Sequence, residues 1–92
     1  MSTLYLVAYD VPNDRRRTRL HKALCGFGAW TQFSLFECFL DDRELVALRH
    51  RIGKLIDPAT DNVRIYHVCQ GCMAKTETYG SERPAEKKVY LL

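Results

Sequence analysis

The hydrophobic positions of this chain are grouped in runs that predict β-strands. Residues 3–9 show no polar alternation, which is typical of a central strand covered on both faces. Residues 30–40 are rich in aromatic side chains and contain neither glycine nor proline, so they predict one long strand or two abutting strands. Residues 63–68 follow a polar loop and predict a further strand.

Between the first two runs the hydrophobic spacing changes to that of a helix. Residues 11–14 combine a proline with two good N-cap residues, so a helix is predicted to begin near Asn13 or Asp14. Gly26 and Gly28 are predicted to end it, because glycine adopts the left-handed conformation of a helix C-terminus without steric cost. The helix is expected to bury one stripe: Leu20, Leu24 and Phe27.

A second helix is predicted after the aromatic run. Asp41 and Glu44 have the spacing of a capping box, in which each side chain bonds to the other residue's backbone N–H. Asp57 and Pro58 are predicted to stop this helix, because proline disfavours a helical conformation in the residue before it. The positions at helical spacing are Leu45, Leu48, Ile52 and Leu55.

The order of these elements predicts an α+β fold, a ferredoxin-like βαββαβ sandwich in one domain of 92 residues. The core is expected over residues 1–70 and a polar loop over residues 73–87. The apolar residues 88–92 are expected to pair as an additional C-terminal strand, with a second subunit as one option. We expect a homodimer, because so short a chain buries little core and one face of its sheet needs a cover.

The composition, with 47% hydrophobic and 27% charged residues, is that of a soluble globular protein. No apolar stretch approaches the roughly 20 residues that span a membrane, so no membrane association is expected. The amino terminus shows no secretory pattern, which favours a cytoplasmic location. The net charge of +3 argues only weakly for an anionic partner, so the distribution of the charges matters more.

Asp10 ends the first apolar run and is the first candidate for chemistry. A carboxylate at the end of a buried strand is well placed to hold a divalent cation, although one acidic residue is too few for a complete metal site. A second carboxylate would then come from elsewhere. The alternative is that Asp10 caps the following turn.

A group of cations follows Asp10 at the start of the first helix: Arg15, Arg16, Arg17, Arg19 and Lys22. Cations at a helix N-terminus lie against the positive end of its dipole, which favours a role in binding an incoming phosphate. Arg15, Arg19 and Lys22 share one helix face. The alternative is a solvated face that Asp10 and Asp14 neutralise.

Cys69 and Cys72 form a CxxC pair, which is half of a zinc site. The remaining cysteines are spaced like core residues, so we expect structural or incidental cysteines, with zinc at Cys69 and Cys72 as the alternative. A redox motif requires the CxxC pair at the start of a helix that follows a strand, and the chain after Cys72 is predicted as loop. The histidines show no metal-ligand spacing. Aromatic residues that are expected in the core, with base stacking as the alternative, are Trp30, Phe33, Phe36 and Phe39; Ser34 among them indicates a kink or a polar site.

Four segments together resemble the CRISPR-associated protein 2 family over nearly the whole chain. They are Tyr9-Asp10, the Asp-Arg-Arg-Arg helix start at 14–17, Gln-Phe-Ser-Leu-Phe-Glu at 32–37 and Val-Arg-Ile-Tyr at 63–66. The CxxC pair after the last core strand also occurs in many members. The resemblance implies two strands within residues 30–40 and a C-terminal strand that pairs with the partner subunit's sheet.

The resemblance also implies an activity. In such families a homodimer brings both copies of Asp10 together around Mg²⁺ or Mn²⁺ and hydrolyses phosphodiesters of RNA or duplex DNA. An arginine that some members carry before the Gln-aromatic-Ser motif has no counterpart here, because Trp30 and Thr31 occupy that place. The residues that resemble the family's active-site set are Tyr9, Asp10, Arg17, Arg19, Phe36 and Ser34.

Two functions therefore remain open. One is a metal-dependent endonuclease that uses the Asp10 pair, with Arg17 and Arg19 steadying the phosphate. The other is a non-catalytic scaffold that binds nucleic acid and bridges dimers of the CRISPR-associated protein 1 integrase during spacer acquisition. A zinc- or thiol-dependent module at Cys69 and Cys72 is a more distant option.

Overall fold

Strands and helices alternate along the chain as the hydrophobic pattern predicts. The structure is a computed structural model that describes residues 2–80, 82 and 84–86. The predicted C-terminal strand at 88–92 lies outside the described residues. The observed elements are β1 (Thr3–Asp10), α1 (Asp14–Cys25), β2 (Ala29–Gln32), β3 (Leu35–Leu40), α2 (Asp42–Leu55), β4 (Asn62–Val68) and α3 (Gln70–Ala74).

The four strands of the described chain form one antiparallel sheet in the order β2-β3-β1-β4. β1 lies inside the sheet, where Val7 is opposite Phe36 on one side and Ile65 on the other. The strand order together with the sequence of elements is that of the ferredoxin-like fold. The predicted fold class is therefore confirmed, and the end of β1 lies where the sheet meets the loop to α1.

The helices α1 and α2 pack on the same face of the sheet. Alternate residues of β1 point into this core, including Val7, which is fully buried. Leu20 and Leu24 of α1 are also fully buried, as predicted, whereas Phe27 follows the helix and is half-buried. Further members of this core are Tyr5, Tyr9, Val11, Phe36, Cys38, Leu40, Leu45, Leu48 and Ile52.

The predicted helix starts are confirmed by their hydrogen bonds. The Asn13 side chain accepts a hydrogen bond from the Arg16 backbone N–H at 2.9 Å and caps α1. At α2, the Asp41 carboxylate accepts from the Glu44 N–H at 2.8 Å, and the Glu44 carboxylate accepts from the Asp41 N–H at 3.0 Å. Each cap satisfies N–H groups that the helix itself leaves without a partner.

The prediction that a left-handed glycine ends α1 is wrong. Gly26 has a φ of −81° and a ψ of −8°, which is right-handed, and its N–H bonds to the Ala23 carbonyl at 3.0 Å. Gly28 serves a different purpose, because a Cβ there would lie 2.4 Å from the Glu37 carbonyl oxygen and 2.5 Å from the Cys38 sulfur. Its missing side chain lets the chain pass close to β3.

The aromatic run splits into β2 and β3, as the family resemblance implies. The turn between them contains Phe33, whose φ of 45° is left-handed, and Ser34. The Ser34 carbonyl accepts a hydrogen bond from the Tyr9 N–H at 3.0 Å, which ties the turn to the end of β1. Ser34 thus marks a break between strands rather than a site at the centre of the sheet.

The described residues cover the second face of the sheet only in part. Leu6, Ala8 and Leu35 are half-buried on this face, and Tyr66 is 47% exposed. α3 packs against β1 at the far end of the same face. Since α3 runs to Ala74, the predicted loop at 73–87 begins with the last turn of a helix. In the part of the chain that the structure describes, no helix is long and apolar enough to cross a membrane.

Candidate metal and nucleic-acid site

Asp10 is the last residue of β1. It is exposed on the second face of the sheet, opposite to α1 and α2. It is opposite Asn62 of β4, and both line a depression of about 400 Å³ with Ala8, Arg64 and Tyr66. Among the described residues, the Asp10 carboxylate has no hydrogen bond or ion pair. It therefore does not cap the turn that follows, and its oxygens are accessible to a ligand.

Arg64 is a cation beside Asp10 that the sequence analysis missed. It lies opposite Ala8 in the register of β1 and β4, so its side chain is on the same face as Asp10. Its guanidinium donates to the Tyr66 hydroxyl at 3.4 Å, a long hydrogen bond. Alternation within residues 63–68 was the available signal, since it separates Arg64 and Tyr66 from Val63 and Ile65.

The donor atoms in this depression are of the kind that Mg²⁺ and Mn²⁺ accept. Asp10 offers carboxylate oxygens and Asn62 an amide oxygen, both hard ligands. Among residues 2–80, 82 and 84–86, no three metal-binding side chains form a group. Mg²⁺ tolerates few protein ligands because it retains waters and accepts phosphate oxygens. Asp10 therefore fits such an ion as one part of a site that a second chain or a substrate completes.

Arg17 holds the loop that follows Asp10. Its guanidinium donates to the carbonyl oxygens of Val11 at 3.0 Å and Pro12 at 3.3 Å, and it also pairs with Asp14. These bonds use much of the donor capacity of Arg17 inside the chain. In this structure its role is to fix the path from β1 into α1, while phosphate contact by Arg17 stays a prediction.

Arg16, which was predicted to contact nucleic acid, is bound within the chain. It donates to both carboxylate oxygens of Asp61 at 2.8 Å and 3.2 Å and to the Thr60 hydroxyl at 3.2 Å. The Asp61 side chain is fully buried and also accepts from the Asp57 N–H at 2.8 Å. The Arg16 hydrogen bond, helped by that of Asp57, lowers the pKa of Asp61 to about 2. This pair fastens α1 to the loop before β4.

Arg19 and Lys22 lie on the helix side of the molecule. They line a cleft of about 620 Å³ between α1 and α2, together with Arg51, Phe27 and Leu55. Asp10 is on the opposite face of the sheet, so the structure does not bring Arg19 to the Asp10 carboxylate. Arg51 was not singled out from the sequence, because nothing in the spacing of α2 shows that its end faces α1. Arg15 is exposed on α1.

Tyr9 and Phe36 also point away from Asp10, toward the helices. The Tyr9 hydroxyl is 3.1 Å from Nδ1 of His21, and the Phe36 ring packs edge-on against His21 with centroids 5.1 Å apart. Burial raises the pKa of Tyr9, and a hydrogen bond with Ser34 offsets part of this increase. Phe36 is fully buried and belongs to the core. The predicted active-site set is therefore divided between two faces of the sheet.

The two cysteines of the CxxC pair differ in their surroundings. Cys69 is the N-cap of α3, and its sulfur accepts a hydrogen bond from the Cys72 N–H at 3.5 Å. This bond lowers the pKa of Cys69, whereas the interaction with Cys69 raises the pKa of Cys72. The prediction of loop directly after Cys72 is wrong, because the capped turn continues as helix to Ala74. Cys38 is fully buried, and burial raises the pKa of its thiol to about 12, which disfavours the nucleophilic thiolate.

Comparison with known proteins places this arrangement in a family. The family model "CRISPR associated protein Cas2" matches residues 2–76. A Synechocystis protein named CRISPR-associated endoribonuclease Cas2 1 is 44% identical over 85 residues, which cover 88% of this chain and 90% of that protein. A Thermus thermophilus protein named CRISPR-associated endonuclease Cas2 2 is 49% identical over 65 residues, which cover 71% of this chain and 72% of that protein. The crystal structure of Streptococcus pyogenes Cas2 superposes with a TM-score of 0.72 at 32% identity, covering 84% of this chain and 99% of that one. The chain therefore belongs to the Cas2 family.

Proposed function

We propose that this Cas2 protein is a metal-dependent endonuclease that acts as a homodimer and hydrolyses phosphodiester bonds of RNA or duplex DNA. The observation that carries the proposal is the Asp10 carboxylate, which is exposed at the end of β1 and has no partner among the described residues. An exposed carboxylate on a rigid strand, beside the cation Arg64, suits a site that binds a metal ion and a phosphate. Relatives named endoribonuclease and endonuclease support the same class of activity.

A homodimer would complete the site. One chain contributes a single carboxylate, and the face that carries it also carries the half-buried Leu6, Ala8 and Leu35. A two-fold interface joins the same surface of both subunits, so a pairing through this face brings a second Asp10 toward the first. The apolar residues would then be removed from water and the carboxylates shared.

The residues of the chain have separate tasks in this proposal. Asp10 would hold Mg²⁺ or Mn²⁺, which when bound supplies a more acidic water and stabilises charge on the phosphate. Arg64, on the same face, offers its guanidinium to a phosphate oxygen. Arg17 keeps Val11 and Pro12 in place, so that the backbone directly after Asp10 does not shift when substrate binds.

The test is a cleavage assay on end-labelled single-stranded RNA and duplex DNA. Purified protein is incubated with Mg²⁺, with Mn²⁺, with EDTA, and with EDTA followed by excess Mg²⁺. We expect cleavage of at least one substrate, a loss of at least about 100-fold in EDTA, and recovery on adding Mg²⁺, because the metal contributes several kcal/mol to phosphodiester hydrolysis. Cleavage that is indifferent to EDTA, or no cleavage of either substrate, would overturn the proposal.

A second candidate function is a scaffold that grips the phosphate backbone and bridges CRISPR-associated protein 1 dimers. The cationic cleft between α1 and α2 favours it, since Arg19, Lys22 and Arg51 line it and no carboxylate is among the described residues that do so. Such a surface binds nucleic acid without reading its sequence. It lies away from Asp10, so backbone binding and cleavage are compatible in one protein.

The scaffold function predicts a change in the salt dependence of binding. For the double variant Arg19→Ala, Arg51→Ala, we expect the slope of log K against log [salt] for duplex DNA to become shallower by about 2, since each lost phosphate contact contributes about 0.9. Fluorescence polarisation over a salt series measures this slope. Arg43→Ala, which removes an exposed arginine at the start of α2, is the control and should leave the slope unchanged. An unaltered slope in the double variant would argue against this surface.

A further inference from the structure

Two large aromatic side chains are left in solvent at the β2–β3 hairpin. Trp30 is 55% exposed and Phe33 is 88% exposed. Exposed aromatic groups that border one cavity are a common mark of a binding surface. Here they line a cleft of about 410 Å³ between the hairpin and α1, with Thr18, His21 and Lys22 on the helix side.

The Trp30 indole is held in a fixed orientation. Its Nε1–H donates to the Phe33 carbonyl oxygen at 2.6 Å, and its ring meets His21 edge-on at 5.7 Å with an interplanar angle of 71°. His21 is itself bonded to the Tyr9 hydroxyl at 3.1 Å. A ring fixed in this way loses little conformational freedom when a ligand stacks on it.

Phe33 occupies a backbone conformation that disfavours its side chain. Its φ of 45° lies in the left-handed region, where glycine or asparagine is more stable than a bulky residue. The Phe33 ring does not pack in the core, since most of it is exposed. Strained residues of this kind concentrate at binding sites, where the side chain contributes to binding rather than to folding.

The charges around the cleft identify the class of ligand. Two cations line the cleft: the exposed Lys22, and Arg17, whose guanidinium is bonded within the chain; no carboxylate is among the described residues that line it. Thr18 adds a hydroxyl on the same side. Aromatic rings next to a cation are the arrangement that binds single-stranded nucleic acid, with the base on the ring and the phosphate near the cation. Base pairing inside a duplex would keep the bases away from these rings.

We propose that the cleft between the β2–β3 hairpin and α1 binds an unpaired nucleotide, with its base stacked on Trp30 and Phe33 and its phosphate at Lys22. The inference rests on the proposed function only in that the protein meets nucleic acid. The Tyr9 and Trp30 side of the sheet is opposite to Asp10, so this cleft is separate from the proposed cleavage site. It would hold a single-stranded end or a displaced base of a bound strand.

Trp30 is the only tryptophan of the chain, so its fluorescence reports directly on this cleft. We titrate the protein with oligothymidine and, separately, with a blunt duplex of equal phosphate number, in EDTA to prevent cleavage. We expect quenching of Trp30 by oligothymidine and little change with the duplex. Polarisation with labelled strands measures affinity in parallel.

Variants then test the contribution of stacking. Trp30→Ala is expected to weaken oligothymidine binding about tenfold while duplex binding stays within twofold, since stacking contributes about that much per base. Trp30→Phe retains a ring and should recover part of the loss. Tyr79→Ala removes another aromatic side chain, 86% exposed, and is the control. Circular dichroism checks that each variant is folded.

The outcomes distinguish this inference from the proposed function. Binding of both nucleic acids without quenching, or equal losses for oligothymidine and duplex in Trp30→Ala, would overturn the cleft and leave the nuclease proposal standing. The nuclease proposal is tested separately, by the metal-dependent cleavage assay and the Asp10 variant. Absence of any nucleic-acid binding would overturn both, and would indicate that the exposed rings dock on a protein.

Discussion

Substitution of Asp10 by asparagine is expected to reduce metal-dependent cleavage by about 100-fold or more while binding of nucleic acid persists. The amide keeps the shape of the side chain but removes the charge that attracts a divalent cation, and metal catalysis contributes several kcal/mol. Binding persists or strengthens, because a negative charge no longer faces the phosphate backbone. Initial cleavage rates at saturating Mg²⁺, with polarisation for binding, measure both effects.

Asp42→Asn is the matched control for Asp10→Asn. Asp42 is an exposed carboxylate in the first turn of α2. That turn follows the end of β3, which pairs with the start of β1 and not with its Asp10 end, and the loss of Asp42 changes the net charge by the same amount. If Asp10→Asn of equal purity cleaves at the wild-type rate, a contaminating nuclease or another residue performs the reaction. Equal losses in both variants would point to an effect of net charge.

The second large effect is expected in stability, from Arg16→Ala. This change leaves the buried Asp61 carboxylate without its guanidinium, and a buried charge without a partner strongly favours the unfolded state. We expect a melting temperature at pH 7 lower by more than about 5 °C, a substantial shift for a domain of this size. Thermal unfolding followed by circular dichroism measures it.

The pH dependence of this effect has a definite sign. The folded-state pKa of Asp61 is lowered to about 2, below the value in the unfolded chain, so its stabilising effect is present near neutral pH and is lost as the pH falls toward 2. The difference between wild type and Arg16→Ala should therefore narrow between about pH 4 and pH 2. Arg15→Ala, at an exposed neighbouring arginine, should melt like the wild type. A stable Arg16→Ala protein with weakened nucleic-acid binding would instead assign Arg16 to phosphate.

The fold could be predicted because its signals are local. An apolar run for β1, the Asn13 cap, and the reciprocal bonds of Asp41 and Glu44 each act within a few residues, and each is observed. The division of residues 30–40 was harder, since Phe33 takes a left-handed conformation that favours glycine. Its aromatic side chain carries no turn signal, so the pattern left one or two strands open, with Ser34 indicating a kink as one option, and the family resemblance implied two strands.

The candidate site could be predicted only in part, because its members are separated in sequence. Asp10 was found from its place at the end of an apolar run. The contact of Arg16 with Asp61 joins residues 45 positions apart, so no spacing rule reveals it. His21 has no metal-ligand spacing, and only the structure shows that it contacts both Tyr9 and Trp30. Arg64 could have been predicted, because the two-residue period of β4 places its side chain on the same face as Asp10.

The alternation of Tyr9 and Asp10 along β1 has an evolutionary consequence. Tyr9 and Asp10 are neighbours in one strand but lie on opposite faces of the sheet, so the proposed cleavage site and the proposed nucleotide cleft are on different faces. Selection can therefore act on each face with little effect on the other. A lineage that loses the carboxylate at position 10 would keep the aromatic cleft and its hydrogen bonds, and would persist as a binding protein. Descendants that differ in catalysis can in this way retain the same recognition of nucleic acid.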